Sequence, residues 1–226
     1  MTPAIFQACI PMANKYEMKI GLILSRLKRR YKAEMKTSLN HSSPWELLVA
    51  TMLSAQSQDA QVNRVTPGLF RAYKTAAEFA RLKQSDLYHY VRTLGLYRNK
   101  SKNIIATAKY IQNNLDGRMP RTMEGMLKLP GVGRKTANVV LSNAFGSNAG
   151  IAIDTHCITV SNRLFLYHTR NPEKIEKRLM TIVPRKDWGN LTHLFIALGR
   201  DVCTAKEKRC ERCVLNGLCP SSTVKR

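Results

Sequence analysis

Apolar residues along this chain recur at helical spacing and almost nowhere in alternation. Ile20, Ile23, Leu24, Leu27 and Tyr31 share one face of a helix predicted over 17–36, with Lys19, Arg26, Lys28, Arg29 and Arg30 on its other faces. Ser43, Pro44 and Glu46 read as a capping box with proline at the first helical position, opening a helix that carries Trp45, Leu48, Val49, Met52 and Leu53. A polar break over 53–59 follows, with Asp59 the expected cap of a helix over 61–70 that Pro67 should kink or shorten. Thr75 and Glu78 mark a second capping box, for a short helix through Leu82, and Ser85 or Asp86 caps another that stops at Gly95. A helix rich in Ile104, Ile105, Ala108 and Ile111 ends at Gly117, and Pro120 and Thr122 introduce the next. After a loop at 147–151, Asp154 reads as the N-cap of a helical stretch reaching Leu166. Ile175, Leu179, Ile182 and Val183 form a further face over 172–183, and 191–198 makes one more. With no solenoid repeat and no low-complexity tail beyond 221–226, the pattern predicts an all-α protein.

The chain has 226 residues, 44% of them apolar and 23% charged, which suits one or two folded domains with a sizeable core. Its charge is less ordinary: 37 Lys and Arg against 15 Asp and Glu give a net +22, a surface that attracts a polyanion such as DNA or RNA. Charge alone suits a ribosomal or membrane-surface protein equally and names no activity. No run approaches the roughly 20 apolar residues of a membrane span, and 1–20 lacks the layout of a signal peptide, so the expected location is intracellular, with no membrane partner.

Within that frame, Leu129-Pro130-Gly131-Val132-Gly133-Arg134-Lys135-Thr136-Ala137-Asn138 is the stretch with most chemistry. A short helix end runs into a Gly-x-Gly turn and a second helix opens at once, its stripe Ala137, Val140, Leu141 and Ala144 ending at Gly146. The expectation is that Gly131 and Gly133 both supply positive φ or a close backbone approach. Free N–H groups of Gly131, Val132, Gly133, Arg134 and Thr136 at a helix start attract phosphate without reading sequence. Lys135 falls in the first helical turn, where the dipole disfavours a cation, so its reading is divided between a phosphate-steering amine and a catalytic one.

Four of the six cysteines crowd into one loop, Cys203, Cys210, Cys213 and Cys219, spaced C-x6-C-x2-C-x5-C. Thiolates so close together in a reducing compartment point to metal, either zinc or an iron–sulfur cluster. The spacing departs from both ferredoxin patterns and from paired zinc ligands. Lys206, Lys208 and Arg209, between the first two ligands, would be held as a fixed cationic array against phosphates. Cys9 and Cys157 are expected to be small buried hydrophobes.

The hairpin string and the cysteine spacing together resemble the endonuclease III family of helix-hairpin-helix DNA glycosylases, over nearly the whole chain from about 20 to 220. The resemblance implies two helical lobes with duplex DNA between them. One would be a six-helix barrel over 37–145; the other would be discontinuous, 1–36 plus 146–226, and would include the cluster loop at 203–219. It implies a [4Fe-4S] cluster on the four cysteines, with zinc the lesser alternative and a structural role for the metal. Lys135 and Asp154 match the family's catalytic lysine and aspartate. Gln56 matches the residue that fills the gap left by an everted nucleotide, and Leu96 the wedge. His156 follows as a phosphate or pocket contact. Thr159 stands where the family string has arginine, and Cys157 is also unusual, which puts contacts to DNA and the preferred lesion in doubt.

The activity implied is that of a monomeric, nucleoid-associated base-excision enzyme acting on duplex DNA with damaged or abasic nucleotides. It would remove oxidised pyrimidines and cut the abasic strand by β-elimination. Lysine at 135 favours this lyase-competent branch over a monofunctional uracil or thymine mismatch glycosylase. The reading from another class is a non-catalytic helix-hairpin-helix DNA-binding protein.

Overall fold

The structure, a computed structural model, describes residues 15–165 and 167–224. Cys9, the residues before Lys15, Leu166 and the last two positions of the tail lie outside the described residues. Eleven α-helices cover most of what is described: α1 (Ile20–Arg30), α2 (Pro44–Ser54), α3 (Asp59–Ala72), α4 (Ala76–Ala80), α5 (Gln84–Val91), α6 (Tyr97–Leu115), α7 (Met123–Leu127), α8 (Arg134–Phe145), α9 (Thr155–Phe165), α10 (Pro172–Ile182) and α11 (Trp188–Asp201). The sole extended pairing among the described residues is an isolated bridge between Cys203 and Lys208. The fold is all-α.

Helix starts largely follow the side chains that can satisfy free N–H groups. Thr75 and Glu78 form the full capping box at α4, Thr122 accepts from Gly125 N at α7, and Asn171 accepts from both Glu173 N and Lys174 N at α10. Several expectations are corrected. The helix predicted over 17–36 is α only over Ile20–Arg30, with 3-10 turns at Glu17–Lys19 and Lys32–Glu34. Tyr31 leaves helical geometry at φ −121° while its buried ring packs inward and its hydroxyl donates to Asp201. At α2, Ser43 accepts from Glu46 N, but the Glu46 carboxylate takes the Ser42 N–H, one residue before the predicted closure. Asp59 lies inside α3, whose cap is Gln58, and Asp86 serves α5 by accepting the Lys83 N–H rather than as its cap. Pro67 does not break α3, because the buried stripe Val62, Thr66 and Leu69 continues on both sides of it and outweighs the lost hydrogen bond. α11 runs well beyond the predicted 191–198.

Two hydrophobic clusters organise these helices. The first is drawn from α2 to α8 and centres on α2, where every residue from Trp45 to Leu53 is buried, as a helix apolar all round requires. The second joins α1 to 151–153, α9, α10 and α11, with Leu215 and Leu218 from the cysteine loop. Arg26 holds α1 to this group through Val214 O, and the buried Glu17 carboxylate pairs with Arg178 and accepts from the Tyr167 hydroxyl. No helix among the described residues is long and apolar enough to cross a membrane.

Because Asn171 satisfies two N–H groups at the start of α10, Asn171→Ala should lower stability by about 1 kcal/mol in urea denaturation. An unchanged midpoint would mean that water replaces the cap at no cost.

Candidate nucleic-acid interface and active site

The turn before α8 is built by close approach. Gly131 sits at φ +74°, and a Cβ there would lie 2.6 Å from the Asn103 side-chain nitrogen and 2.8 Å from its Cβ. Thr107 Oγ1 donates to Pro130 O at 2.6 Å and fixes the other side of the turn. Gly133 differs from expectation: its φ is −93° and no atom stands within 4 Å of an added Cβ, so the fold does not need glycine there. Among the described residues, no acceptor meets the N–H groups of Gly131, Gly133, Arg134 or Lys135, and no acid occupies the first turn of α8. That leaves an open cluster of donors at the positive end of a 12-residue helix, which suits a phosphate. Val132 is not part of it, being buried with its N–H given to Leu129 O. Thr136 is half-buried in the same turn.

Lys135 is exposed and lines a cleft of about 700 Å³ between the two hydrophobic clusters. Thr51, Ser54, Asp59 and Val139 face it from the first cluster's side, and Tyr31, Thr192, His193 and Asp201 from the other. Burial lowers the His193 pKa, which keeps the imidazole neutral, and it raises that of Tyr31, whose hydroxyl donates to Asp201. Asp154 does not line this cleft. It stands half-exposed at the start of α9, where its Oδ1 accepts the Cys157 N–H at 2.8 Å, so the predicted capping geometry is present. The fully buried Cys157 thiol beneath it is raised first by burial and further by the Asp154 charge, and is lowered by that of Lys135. Cys157 is the small buried group expected, packed against Ala152 O and Thr192 O.

Gln56 and Leu96 form a second feature, on two adjoining loops. Both are non-glycine residues in the left-handed region, at φ 54° and 57°, which costs about 1–2 kcal/mol each. Gln56 is exposed and Leu96 is 54% exposed, an unusual place for a leucine. The two loops touch, since a Cβ on Gly95 would meet Gln56 O at 3.7 Å. Lys100, buried in α6, donates to Ser57 Oγ at 2.8 Å and ties the Gln56 loop to the helix that Leu96 opens.

Other predicted contacts are placed less simply. The Arg134 guanidinium is paired with Glu176, Nε to Oε2 at 2.9 Å and Nη2 to Oε1 at 3.1 Å, while its side chain stays 41% exposed. His156 packs on α11, where a Cβ on Gly199 would lie 2.6 Å from its Nδ1, and so serves as a packing residue. Thr159 bonds back to Thr155 O and reaches no other segment. Lys206, Lys208 and Arg209 are all exposed, but Lys208 donates to Ser221 O and Arg209 pairs with Glu207.

The four loop cysteines share the short segment 203–219. Burial raises the Cys213 thiol to about 11, and the charges of Cys203, Cys219 and Cys210 add to the effect. No three His, Cys, Asp or Glu side chains among the described residues stand close enough to hold a single ion. Arg163, to which the sequence alone assigned no role, braces the loop by donating to Cys203 Sγ at 3.1 Å, Thr204 O at 2.8 Å and Ala205 O at 3.3 Å. Also missed were Glu176, Gly150 and the cleft residue His193. Glu176 had one available signal, a carboxylate beside the apolar stripe of its helix.

Comparison with known proteins agrees with this geometry. Residues 49–185 match the HhH-GPD superfamily of base excision DNA repair proteins. The chain is 43% identical over 211 residues to endonuclease III of Synechocystis, covering 93% of this chain and 95% of that one. It is 47% identical over 182 residues to endonuclease III of Bacillus subtilis, covering 80% and 83%. A solved structure of a trapped endonuclease III–DNA covalent intermediate, an estranged-adenine complex, superposes with a TM-score of 0.85 at 38% identity, over 93% of this chain and 97% of that one.

The two glycines separate fold from binding. Gly131→Ala should lose more than about 1–2 kcal/mol of stability through positive φ alone, whereas Gly133→Ala should keep stability within about 1 kcal/mol and weaken duplex binding. Urea melts and a salt titration on undamaged DNA read the two effects. Equal stability losses would contradict the hairpin geometry.

Proposed function

The chain belongs to the endonuclease III family within the HhH-GPD superfamily of base excision DNA repair proteins, and on that premise we propose that Lys135 and Asp154 carry its chemistry. It is a DNA glycosylase with abasic-site lyase activity that acts on damaged bases in DNA. The substrate we assign is an oxidised pyrimidine, everted from duplex DNA into the cleft that Lys135 lines. Eversion costs a few kcal/mol, least for a base that already stacks or pairs badly.

The observation that carries this reading is that the exposed Lys135 amine lines a cleft between the two hydrophobic clusters, in the first turn of a helix whose leading N–H groups are open to a phosphate. The neutral Lys135 amine attacks C1′, and the glycosidic bond breaks with its electron pair leaving on the base, which gains a proton. The sugar ring opens to an imine on the lysine nitrogen, and loss of a C2′ proton expels the 3′ phosphate. Asp154 places negative charge against the cationic sugar that forms on the way. The donors at the start of α8 hold a phosphate beside it, and Lys206 adds charge from the cysteine loop. Gln56 and Leu96, exposed on adjoining strained loops, enter the stack left by the everted nucleotide. The two hydrophobic clusters correspond to the two lobes, 37–145 and the remainder, and one chain supplies every residue named, so the working form is a monomer.

Cys203, Cys210, Cys213 and Cys219 would hold a [4Fe-4S] cluster. Four thiolate-forming side chains in one short loop, spaced C-x6-C-x2-C-x5-C, depart from the paired ligands usual for structural zinc and suit an iron–sulfur centre. Bound, such a cluster supplies a cross-link at four points of the 203–219 loop.

Borohydride should trap the wild-type protein covalently on a duplex with an oxidised pyrimidine, and Lys135→Gln should lose both trapping and strand cleavage. Trapping that survives Lys135→Gln would remove the amine from the mechanism. Asp154→Asn should slow base release by about 10²-fold or more in single turnover. The purified protein should be brown, with broad visible absorption that Cys213→Ala abolishes; a colourless wild type containing zinc would overturn the cluster assignment.

A further inference from the structure

One carboxylate ties the first turns of α8 to the segment that leads into Asp154. Glu176, on α10, is 4% exposed and accepts four hydrogen bonds. Its Oε2 takes Arg134 Nε at 2.9 Å; its Oε1 takes Asn138 Nδ2 at 2.9 Å, Arg134 Nη2 at 3.1 Å and the backbone N–H of Ile151 at 3.2 Å. Arg134 immediately precedes Lys135, and Ile151 stands three residues before Asp154. Two stretches remote in sequence, one bearing the amine and one the carboxylate, therefore share a single two-oxygen acceptor from a third.

The neighbouring backbone has no room to slide along this contact. A Cβ on Gly150 would overlap Glu176 Oε1 and lie 2.7 Å from Asn138 Oδ1. Asn138 is turned so that its N–H₂ reaches Glu176, which leaves its Oδ1 buried with no hydrogen-bond partner. An amide chosen only for stability would satisfy both ends. Here the donor to Glu176 is kept at the expense of the acceptor. Another buried carboxylate of this half, Glu17, pairs with Arg178 and joins the turn before α1 to α10.

We propose that Glu176 is a positioning residue, setting the spacing between the Lys135 amine and the Asp154 carboxylate without touching DNA. The proposal rests on the assignment of those two groups made above. A reacting group displaced by about 1 Å loses on the order of 10²-fold in rate, so removing the shared acceptor should act on chemistry rather than on binding.

The test is single-turnover base release from an oxidised-pyrimidine duplex, with affinity measured separately on a duplex holding a stable abasic analogue. Glu176→Gln, which turns an N–H₂ toward existing donors, should slow base release and imine trapping together by about 10- to 100-fold. Its affinity for the abasic-analogue duplex should stay within about two-fold, and Glu176→Asp should recover part of the rate. Asn171→Ala, which weakens the same helix at its cap, should turn over at the wild-type rate below its melting temperature. The proposal is overturned if Glu176→Gln reacts at the wild-type rate, if its affinity falls as far as its rate, or if Asn171→Ala slows base release equally. Should Glu176→Gln not fold, Gly150→Ala, which crowds the carboxylate without removing charge, takes its place with the same expected loss, and a wild-type rate from it overturns the proposal. Lys135→Gln run alongside separates the two levels. If it still traps, the assignment of the amine fails and the positioning role with it; if it loses trapping while Glu176→Gln reacts normally, the positioning role alone falls.

Discussion

A carboxylate removed from water must be surrounded by donors, and Glu176 meets that need with groups from two separate stretches of chain. Desolvating one ion costs several kcal/mol, offset only when geometry and further hydrogen bonds are good. At this junction they are: a bidentate arginine, an amide and a backbone N–H converge on two oxygens. The unpaired Asn138 Oδ1 is what this convergence leaves over, a loss of about 1–3 kcal/mol by the usual cost of a buried orphan. The consequence is local rigidity where α8, α10 and 150–154 meet. Arg134, beside Lys135 in the chain, is tied to the scaffold by the same contact while part of its side chain stays exposed.

The face that would receive DNA is made, by contrast, of groups the fold leaves unsatisfied or strained. The N–H groups at the start of α8 have no acceptor among the described residues, and Gly133 gives open access to them. Gln56 and Leu96 sit in left-handed geometry with their side chains outside the core. Local rules fail at such places because something other than stability selects the residue. A buried lysine, Lys100, holds the Gln56 loop in this conformation, so the strain is fixed rather than relaxed.

Much of this was legible in the sequence. Helices carry their own notation in apolar spacing and caps, and Thr75, Thr122, Asp154 and Gly146 each act where the pattern put them. The misreadings have two causes, a partner far away in the chain or a local context given too little weight. Pro67 was expected to kink or shorten its helix, yet α3 runs through it with a buried stripe on both sides. The helix predicted through residue 36 stops at Tyr31 because Asp201, 170 residues on, takes its hydroxyl. Gly133 was given a conformational need that belongs to Gly131 alone. For the site, Lys135, Asp154 and the cysteines could be named from local strings, while Glu176, Gly150 and Arg163 act through contacts that no local string encodes.

The net charge of +22 invites the view that every cation is a DNA contact, and the ion pairs argue otherwise. Arg134, Arg178, Lys28 and Arg209 face Glu176, Glu17, Asp187 and Glu207, so much of the small acidic complement is already engaged with specific bases. What attracts the polyanion is therefore the unpaired remainder, acting as a field that falls off over about 8–10 Å at physiological salt. Such a field brings duplex DNA to the surface and releases counterions on contact, but it carries no information about which nucleotide is damaged. On the function proposed above, selection comes from the short list of groups with fixed geometry: the open donors at α8, the paired loops at Gln56 and Leu96, and the cleft that Lys135 lines. Binding strength and lesion choice would then reside in different residues, the first spread over the surface and the second concentrated between the two hydrophobic clusters.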